Sequence, residues 1–193
     1  MIATTPVHRL RALKIVRIGR SVSRDLVLRL RERVDSAFAR AITETDVVDY
    51  EAPAIDAIDA SLLTRALEEE IGGHILGVTA ADLHASDPID EPEFLFGGKD
   101  NRNDVAIVST HRLGSRDPEV GIARVLKVGL HELGHNFGLV HHYRTRRESG
   151  GGLCPMTKGD FNRFGERAYL RAVIDQRGMG FCEACRRVIA AHA

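Results

Sequence analysis

The sequence predicts an α/β domain built on a mixed, mostly parallel, twisted sheet. Short β-branched runs alternate along the chain with segments whose apolar residues recur at helical spacing. This alternation is typical of parallel strands joined by helices. The chain has 193 residues, which is enough to bury one hydrophobic core, and it contains no internal repeats. We therefore expect a single domain that spans residues 1–193.

Strands and helices alternate through the first eighty residues. Apolar and β-branched runs predict strands at residues 13–18, 45–50 and 75–79. Ser21 or Ser23 can cap a first helix, whose apolar side chains keep helical spacing at Val27, Leu30, Val34 and Ala37. A second helix is expected over about residues 58–71, because Gly72 and Gly73 follow its apolar face.

The middle of the chain is expected to form a loop, two strands and a long helix. Segment 82–92 is acidic and contains two prolines, which favours a loop. Short strands are predicted at residues 93–96 and 105–110. Asp117 precedes Pro118, which is typical of a helix start. The apolar stripe of this helix, which should pack on the sheet, consists of Ile122, Val125, Leu126, Leu130, Leu133 and Phe137.

The end of this helix carries a His-Glu-Leu-Gly-His sequence at residues 131–135. Residues four apart lie one turn above each other on a helix, so His131 and His135 can bind one metal ion. Glu132 is rotated by about 100° around the helix, which places its carboxylate beside the metal ion rather than on it. Glu132 is thus suited to hold a water molecule next to a bound ion.

The six residues that follow complete a metal-ligand pattern. Gly138 can adopt the positive φ that reverses the chain at a helix end. The reversal brings His141 back toward the ion as a third ligand. Three nitrogen ligands leave a fourth position open, which is typical of catalytic rather than structural zinc. The pattern predicts a hydrolytic zinc ion on His131, His135 and His141, with Glu132 as general base.

Two cysteine motifs lie downstream, Cys154-Pro155-Met156 and Cys182-Glu183-Ala184-Cys185. Together with the extended histidine motif they resemble the metzincins, zinc peptidases with a methionine turn (Met-turn) beneath the metal. The closest resemblance is to the archaemetzincins, whose pattern adds a cysteine after the third histidine, a Cys-x-Met and a Cys-x-x-Cys. In that family four cysteines bind a second, structural zinc ion. The resemblance implies that Met156 forms the Met-turn.

The chain departs from this family pattern at the position after the third histidine, which is His142 instead of cysteine. It also has longer intervals, with eleven residues between His142 and Cys154 and twenty-five between Met156 and Cys182. Imidazole and thiolate both bind zinc. We therefore expect two zinc ions per chain, the second one held by His142, Cys154, Cys182 and Cys185.

Other interpretations of these four residues stay open at this point. Cys154 could be a small buried apolar residue, and Cys182 and Cys185 could form a redox pair. Alternatively, His142 could be free, and water or another group could complete the second site.

The resemblance also implies the arrangement of the domain. It predicts a metzincin-like zincin fold with a backing helix and an active-site helix. Residues 1–138 would form an N-terminal subdomain, and residues 139–193 would form a small C-terminal subdomain with the Met-turn and the second zinc. By the same resemblance, the edge strand near the cleft would bind an extended substrate through Glu93, Phe94, Leu95 and Phe96.

These features predict a zinc peptidase that hydrolyses peptides, with short peptides as the expected substrates. The alternative is a binding or regulatory protein that keeps zinc but has little or no proteolytic activity. The formal net charge is zero, which argues against nucleic acid or a membrane as partner. Three cysteines fit poorly with a secreted disulfide framework, so we expect a cytoplasmic protein. We also expect it to be a monomer.

Overall fold

The structure is a computed structural model that describes residues 12–39, 41–52, 55–85, 95–99, 102–143, 147–148, 150–159 and 165–192. The strands are β1 (Ala12–Ile18), β2 (Glu44–Tyr50), β3 (Ala57–Asp59), β4 (His74–Thr79), β5 (Asp82–His84), β6 (Gly97–Lys99) and β7 (Val105–Ser109). The helices are α1 (Arg24–Ala37), α2 (Ala60–Glu70), α3 (Pro118–Asn136), α4 (Glu166–Tyr169) and α5 (Glu183–Ala190). A π-helical turn, Leu170–Ile174, continues α4.

Five strands form one mixed sheet in the order β2-β1-β4-β7-β6. The first four are parallel to one another, and β6 runs antiparallel to β7 at the edge. Strands β3 and β5 pair separately as a short parallel ribbon. The predicted α/β fold with a mixed, mostly parallel sheet is therefore confirmed.

The two faces of the sheet bury separate sets of apolar side chains. Leu13, Ile15 and Leu76 face a core that includes residues of α1 and α3. Val16, Ile75 and Ile107 face a second core with residues of α2. Side chains alternate between the two faces of a strand, so strands covered by helices on both faces need apolar residues on each. The layers therefore place α1 and α3 on one face and α2 on the other.

Helix α3 begins and ends at residues suited to those positions. The Asp117 side chain accepts a hydrogen bond from the Glu119 amide at 2.9 Å, and Pro118 occupies the first turn. The helix ends at Asn136, and Gly138 takes a φ of 72° directly after it. This reversal carries the following residues back toward the helix end.

Three phenylalanines connect α1, the end of α3 and the C-terminal region. The rings of Phe38 and Phe137 stack with centroids 4.6 Å apart. The ring of Phe181 meets Phe38 edge-on at 5.2 Å. All three side chains are buried. This cluster fixes the segment that leads into Cys182 against the helix that carries the histidines.

Several element predictions were wrong in detail. Residues 82–84 form β5 instead of a loop, because they pair with β3, a contact that local sequence does not reveal. Of the strand expected at residues 93–96, the described residues Leu95 and Phe96 lie outside any strand, and the edge strand is instead Gly97–Lys99, which pairs with β7. Leu95 makes only an isolated bridge to Leu83, and Phe96 accepts a hydrogen bond from the Ser109 amide through its carbonyl. Glu93 and Phe94 lie outside the described residues.

Among the described segments, no helix has the length and apolar character that are needed to cross a membrane.

The phenylalanine cluster generates a stability prediction. Phe38→Ala should lower the free energy of unfolding by about 3–5 kcal/mol, because the fully buried ring would leave a cavity beneath α3. Leu28→Ala on α1, the helix that ends just before Phe38, should lower it by about 1 kcal/mol or less, because Leu28 is 40% exposed. Urea denaturation of both variants measures the difference. Equal losses would contradict the role of the cluster.

Candidate metal centres

Three histidine side chains converge at the end of α3. His131 and His135 lie one turn apart on the helix, and His141 follows the reversal at Gly138. The Nε2 atom of His141 lies 3.1 Å from Nε2 of His135 and 3.2 Å from Nε2 of His131. Two nitrogens that bind one tetrahedral zinc ion at about 2.05 Å are separated by about 3.3 Å. The three residues therefore have the chemistry and the spacing of a zinc site.

Main-chain carbonyls orient two of these rings. Nδ1 of His131 donates to the carbonyl oxygen of Pro155 at 2.8 Å, and Nδ1 of His135 donates to that of Leu139 at 2.8 Å. A carbonyl can only accept, so Nδ1 carries the proton in both rings. The lone pair of each Nε2 is then directed toward the common point, as in established zinc sites.

Burial keeps the three imidazoles neutral. It lowers the pKa of His131 well below its usual value and also lowers the pKa of His135. Burial, followed by the nearby His135, lowers the pKa of His141 to about 4. Only a neutral imidazole can bind a metal ion, so the cluster remains competent as a ligand set at neutral pH.

The edge strand β6 lies directly against the turn of α3 that carries Glu132. A Cβ atom at Gly97 would lie 2.8 Å from Cγ of Glu132 and 2.7 Å from the carbonyl oxygen of Ile107. A side chain at this position would therefore displace either the glutamate or the strand. Because the strand predicted from sequence ends at residue 96, this close approach was missed, although glycine within a strand is a recognised sign of one.

Met156 is fully buried and packs against α3 at Gly134. Its sulfur would lie only 2.7 Å from a Cβ atom at Gly134, the residue that precedes His135. The glycine therefore leaves space for the methionine side chain against the helix. The adjacent Pro155 provides the carbonyl that orients His131, so this turn supports the cluster through both packing and a hydrogen bond.

A second cluster brings together the four residues predicted for a second ion. Nε2 of His142 lies 3.0 Å from Sγ of Cys185 and 3.5 Å from Sγ of Cys182. The sulfurs of Cys154 and Cys185 are 3.8 Å apart. Tetrahedral zinc with bonds of about 2.3 Å to sulfur and 2.05 Å to nitrogen separates two sulfurs by about 3.8 Å and a sulfur from a nitrogen by about 3.5 Å. The cluster fits such an ion, with only the His142–Cys185 distance shorter than ideal.

The cysteines of this cluster are buried and form no disulfide. The close contact between the sulfurs of Cys154 and Cys185 lowers the pKa of Cys154 and raises the pKa of Cys185. The Cys182 amide also lies 3.5 Å from the Cys154 sulfur. A thiolate stabilised in this way is a suitable zinc ligand. Convergence with His142 favours a metal site over the redox pair.

The two clusters are joined through the main chain. His141 belongs to one and His142 to the other. The amide of His142 donates to the carbonyl of Met156 at 2.8 Å, and the carbonyl of His142 accepts from the Lys158 amide at 3.0 Å. Any displacement of this short pairing would move ligands of both clusters.

Comparison with known proteins assigns this arrangement to a family. The chain matches the model of Peptidase family M54 over residues 33–146, more than half of its length. An archaemetzincin from Methanopyrus kandleri is 30% identical over 142 residues, which cover 70% of this chain and 70% of that relative.

Solved structures agree with this assignment. The crystal structure of archaemetzincin from Methanopyrus kandleri gives a TM-score of 0.72 at 25% identity and covers 99% of this chain and 98% of that one. The crystal structure of archaemetzincin from Archaeoglobus fulgidus gives a TM-score of 0.66 at 21% identity and covers 92% of this chain and 99% of that one. The chain therefore belongs to the archaemetzincin family and is a zinc metallopeptidase, as the sequence predicted.

The two glycines of β6 provide a matched test of the contact between the edge strand and Glu132. Gly97→Ala should lower peptidase activity on the order of 10–100-fold, because the added methyl group displaces Glu132 or the strand. Gly98→Ala should stay within about twofold of the wild type, because its nearest neighbours would lie 3.8 and 3.9 Å away. Peptide hydrolysis and zinc content measure both. Equal activity losses would contradict the proposed contact.

Proposed function

We propose that this member of the archaemetzincin family hydrolyses peptide bonds with a zinc ion on His131, His135 and His141 and with Glu132 as general base. The observation that carries this proposal is the convergence of the three Nε2 atoms, with separations of 3.1 and 3.2 Å, beside the helix turn that carries Glu132. Three nitrogen ligands leave one position for water or substrate.

Zinc, when bound, would polarise the scissile carbonyl and lower the pKa of a water molecule. The protein residues supply the proton transfers. Glu132 would accept the proton of the attacking water and then deliver it to the departing amine. Gly97 leaves the space in which the Glu132 side chain lies, and the carbonyls of Pro155 and Leu139 hold two of the imidazoles in place.

The second ligand set would hold a structural zinc ion, giving two ions per chain. His142, Cys154, Cys182 and Cys185 supply four ligand atoms, all within 4.8 Å of one another. Four protein ligands close a tetrahedral site and leave no position for substrate. This ion would fix α5 and the turn beneath the histidines in the C-terminal subdomain.

The substrate would bind as an extended strand along β6, and short peptides are the expected substrates. Strand β6 lies at the edge of the sheet and against α3, so a peptide paired with it would pass close to Glu132. Leu95 and Phe96, which lead into β6, are half-buried and would border this path. Met156 would form the Met-turn under the catalytic ion.

Replacement of the glutamate tests the proposed mechanism. Glu132→Ala should retain two zinc ions per chain and lose about 10²–10⁴-fold in the rate of peptide hydrolysis, because the general base is removed. Glu119→Ala serves as control, since Glu119 is an exposed carboxylate at the other end of the same helix. A mixed peptide library, analysed by mass spectrometry, reports both the cleavage and its position.

If zinc-loaded Glu132→Ala hydrolyses peptides at the wild-type rate, Glu132 is not the general base. Absence of any cleavage by the zinc-loaded wild type would contradict the proposed hydrolysis of short peptides.

A further inference from the structure

Arg177 is a buried arginine that sequence reasoning did not single out. Only 4% of the surface of this residue is exposed. Nε and Nη2 donate to the carbonyl oxygen of Thr157 at 3.1 and 2.7 Å. Among the described residues, no carboxylate lies within salt-bridge distance of this guanidinium. A buried charge without a carboxylate partner is unfavourable, so other negative groups should offset it.

The segment that carries Arg177 is fixed to the histidine helix. The Asp175 amide donates to the carbonyl of Leu170 at 2.7 Å, which closes the π-helical turn. Both carboxylate oxygens of Asp175 accept from Arg124 of α3, at 2.7 and 2.8 Å, and its carbonyl accepts from Lys127 at 2.8 Å. Single π-helical turns occur frequently at functional sites. Here the turn fixes the position of Arg177 relative to α3.

The residues around Arg177 hold the turn 153–157 at both ends. At the first end, the Leu153 amide donates to the carbonyl of Gln176 at 2.8 Å, and the Gly178 amide donates to that of Leu153 at 2.7 Å. At the other end, the Arg177 side chain binds the Thr157 carbonyl. Between the ends lie a predicted ligand of the second ion, Cys154, and the carbonyl of Pro155 that orients His131. Arg177 thus supports groups of both centres.

The surroundings of Arg177 act on its charge in opposite directions. Burial lowers the pKa of Arg177, whereas attraction to Tyr169, Glu132 and the Cys154 sulfur raises it. The guanidinium itself lies at the Thr157 carbonyl, two residues from Pro155 and three from Cys154 along the chain.

We propose that Arg177 is a positioning residue that couples the two metal centres, because it holds the turn 153–157, which carries groups of both. This inference rests on the ligand sets given under the proposed function. It goes beyond them because Arg177 binds neither ion. We assign to it the control of zinc retention at the second centre and of ligand geometry at the first.

Thiol exposure tests this inference without relying on catalysis. Zinc-loaded protein is mixed with a chelator and a chromogenic thiol reagent. Loss of zinc exposes the three cysteine thiols, so the rate of their reaction with the reagent gives the rate of zinc release. Arg177→Met should accelerate the release about 10–100-fold, the usual effect of removing a group that supports metal ligands. Arg177→Lys, which keeps the charge but loses the two-point hydrogen bond, should be about three- to tenfold faster than the wild type. Arg187→Met is the control, since Arg187 is exposed on α5, and it should match the wild type.

Peptide hydrolysis provides the second measurement. Arg177→Met should lower kcat at least about tenfold while KM stays within about twofold, because the histidine centre is displaced but the edge strand is not. Arg177→Lys should recover part of kcat. If a folded Arg177→Met variant releases zinc at the wild-type rate, the inference is wrong. Equal rates of zinc release from the Met and Lys variants would also overturn it. If Arg177→Met does not fold, wild-type release from Arg177→Lys would overturn it as well.

Thiol protection in the wild type distinguishes a failure of the proposed second zinc site from a failure of the role of Arg177. If zinc fails to protect the wild-type thiols, the proposed second site is wrong. If the wild type is protected and Arg177→Met is protected equally, only the role of Arg177 is wrong.

Discussion

The pairing of His142 with the segment Met156–Lys158 is the interaction on which both metal centres depend. Two main-chain hydrogen bonds, 2.8 and 3.0 Å long, hold the chain directly after the third histidine against the turn that contains Met156. This pairing places His141 over the end of α3 and directs His142 to the opposite side, toward the three cysteines. Adjacent residues can serve two centres because successive side chains of an extended segment point in opposite directions.

The histidine cluster could be predicted from sequence because its geometry is local. The helical period relates His131 to His135, and the positive φ of Gly138 sets the return to His141. The four residues of the second cluster are separated by up to 43 positions, and local periodicity says nothing about them. They were identified by resemblance to a family pattern, and the structure brings them together by packing α5 against the phenylalanine cluster.

Features set only by tertiary contacts were missed. Strand β5 exists because β3 lies beside it, and β6 forms at Gly97–Lys99, where it pairs with β7 and Gly97 passes close to Glu132. Arg177 gave no signal in the sequence, since one arginine near the C-terminus resembles any other. Its burial follows from the π-helical turn, which no spacing rule predicts.

The long interval between His142 and Cys154 leaves the second cluster intact. The chain reverses after Glu148. The Glu148 amide donates to the Gly152 carbonyl at 2.9 Å, and the Glu148 carbonyl accepts from the Gly151 amide at 3.1 Å. Its carboxylate lies where a side chain at Gly178 or Gly180 would collide with it. The described part of this loop therefore docks beside the segment that carries Arg177, and Cys154 keeps its place next to Cys185.

One turn of the chain connects the histidine cluster to the thiolate cluster, and we expect each cluster to bind one zinc ion. Zinc K-edge X-ray absorption on the fully loaded protein, combined with metal analysis, tests it most directly. We expect two zinc ions per chain, which together have three sulfur and four imidazole ligands, with bonds of about 2.3 Å to sulfur and about 2.0 Å to nitrogen. A single zinc ion per chain, or a spectrum without sulfur ligands, would contradict it.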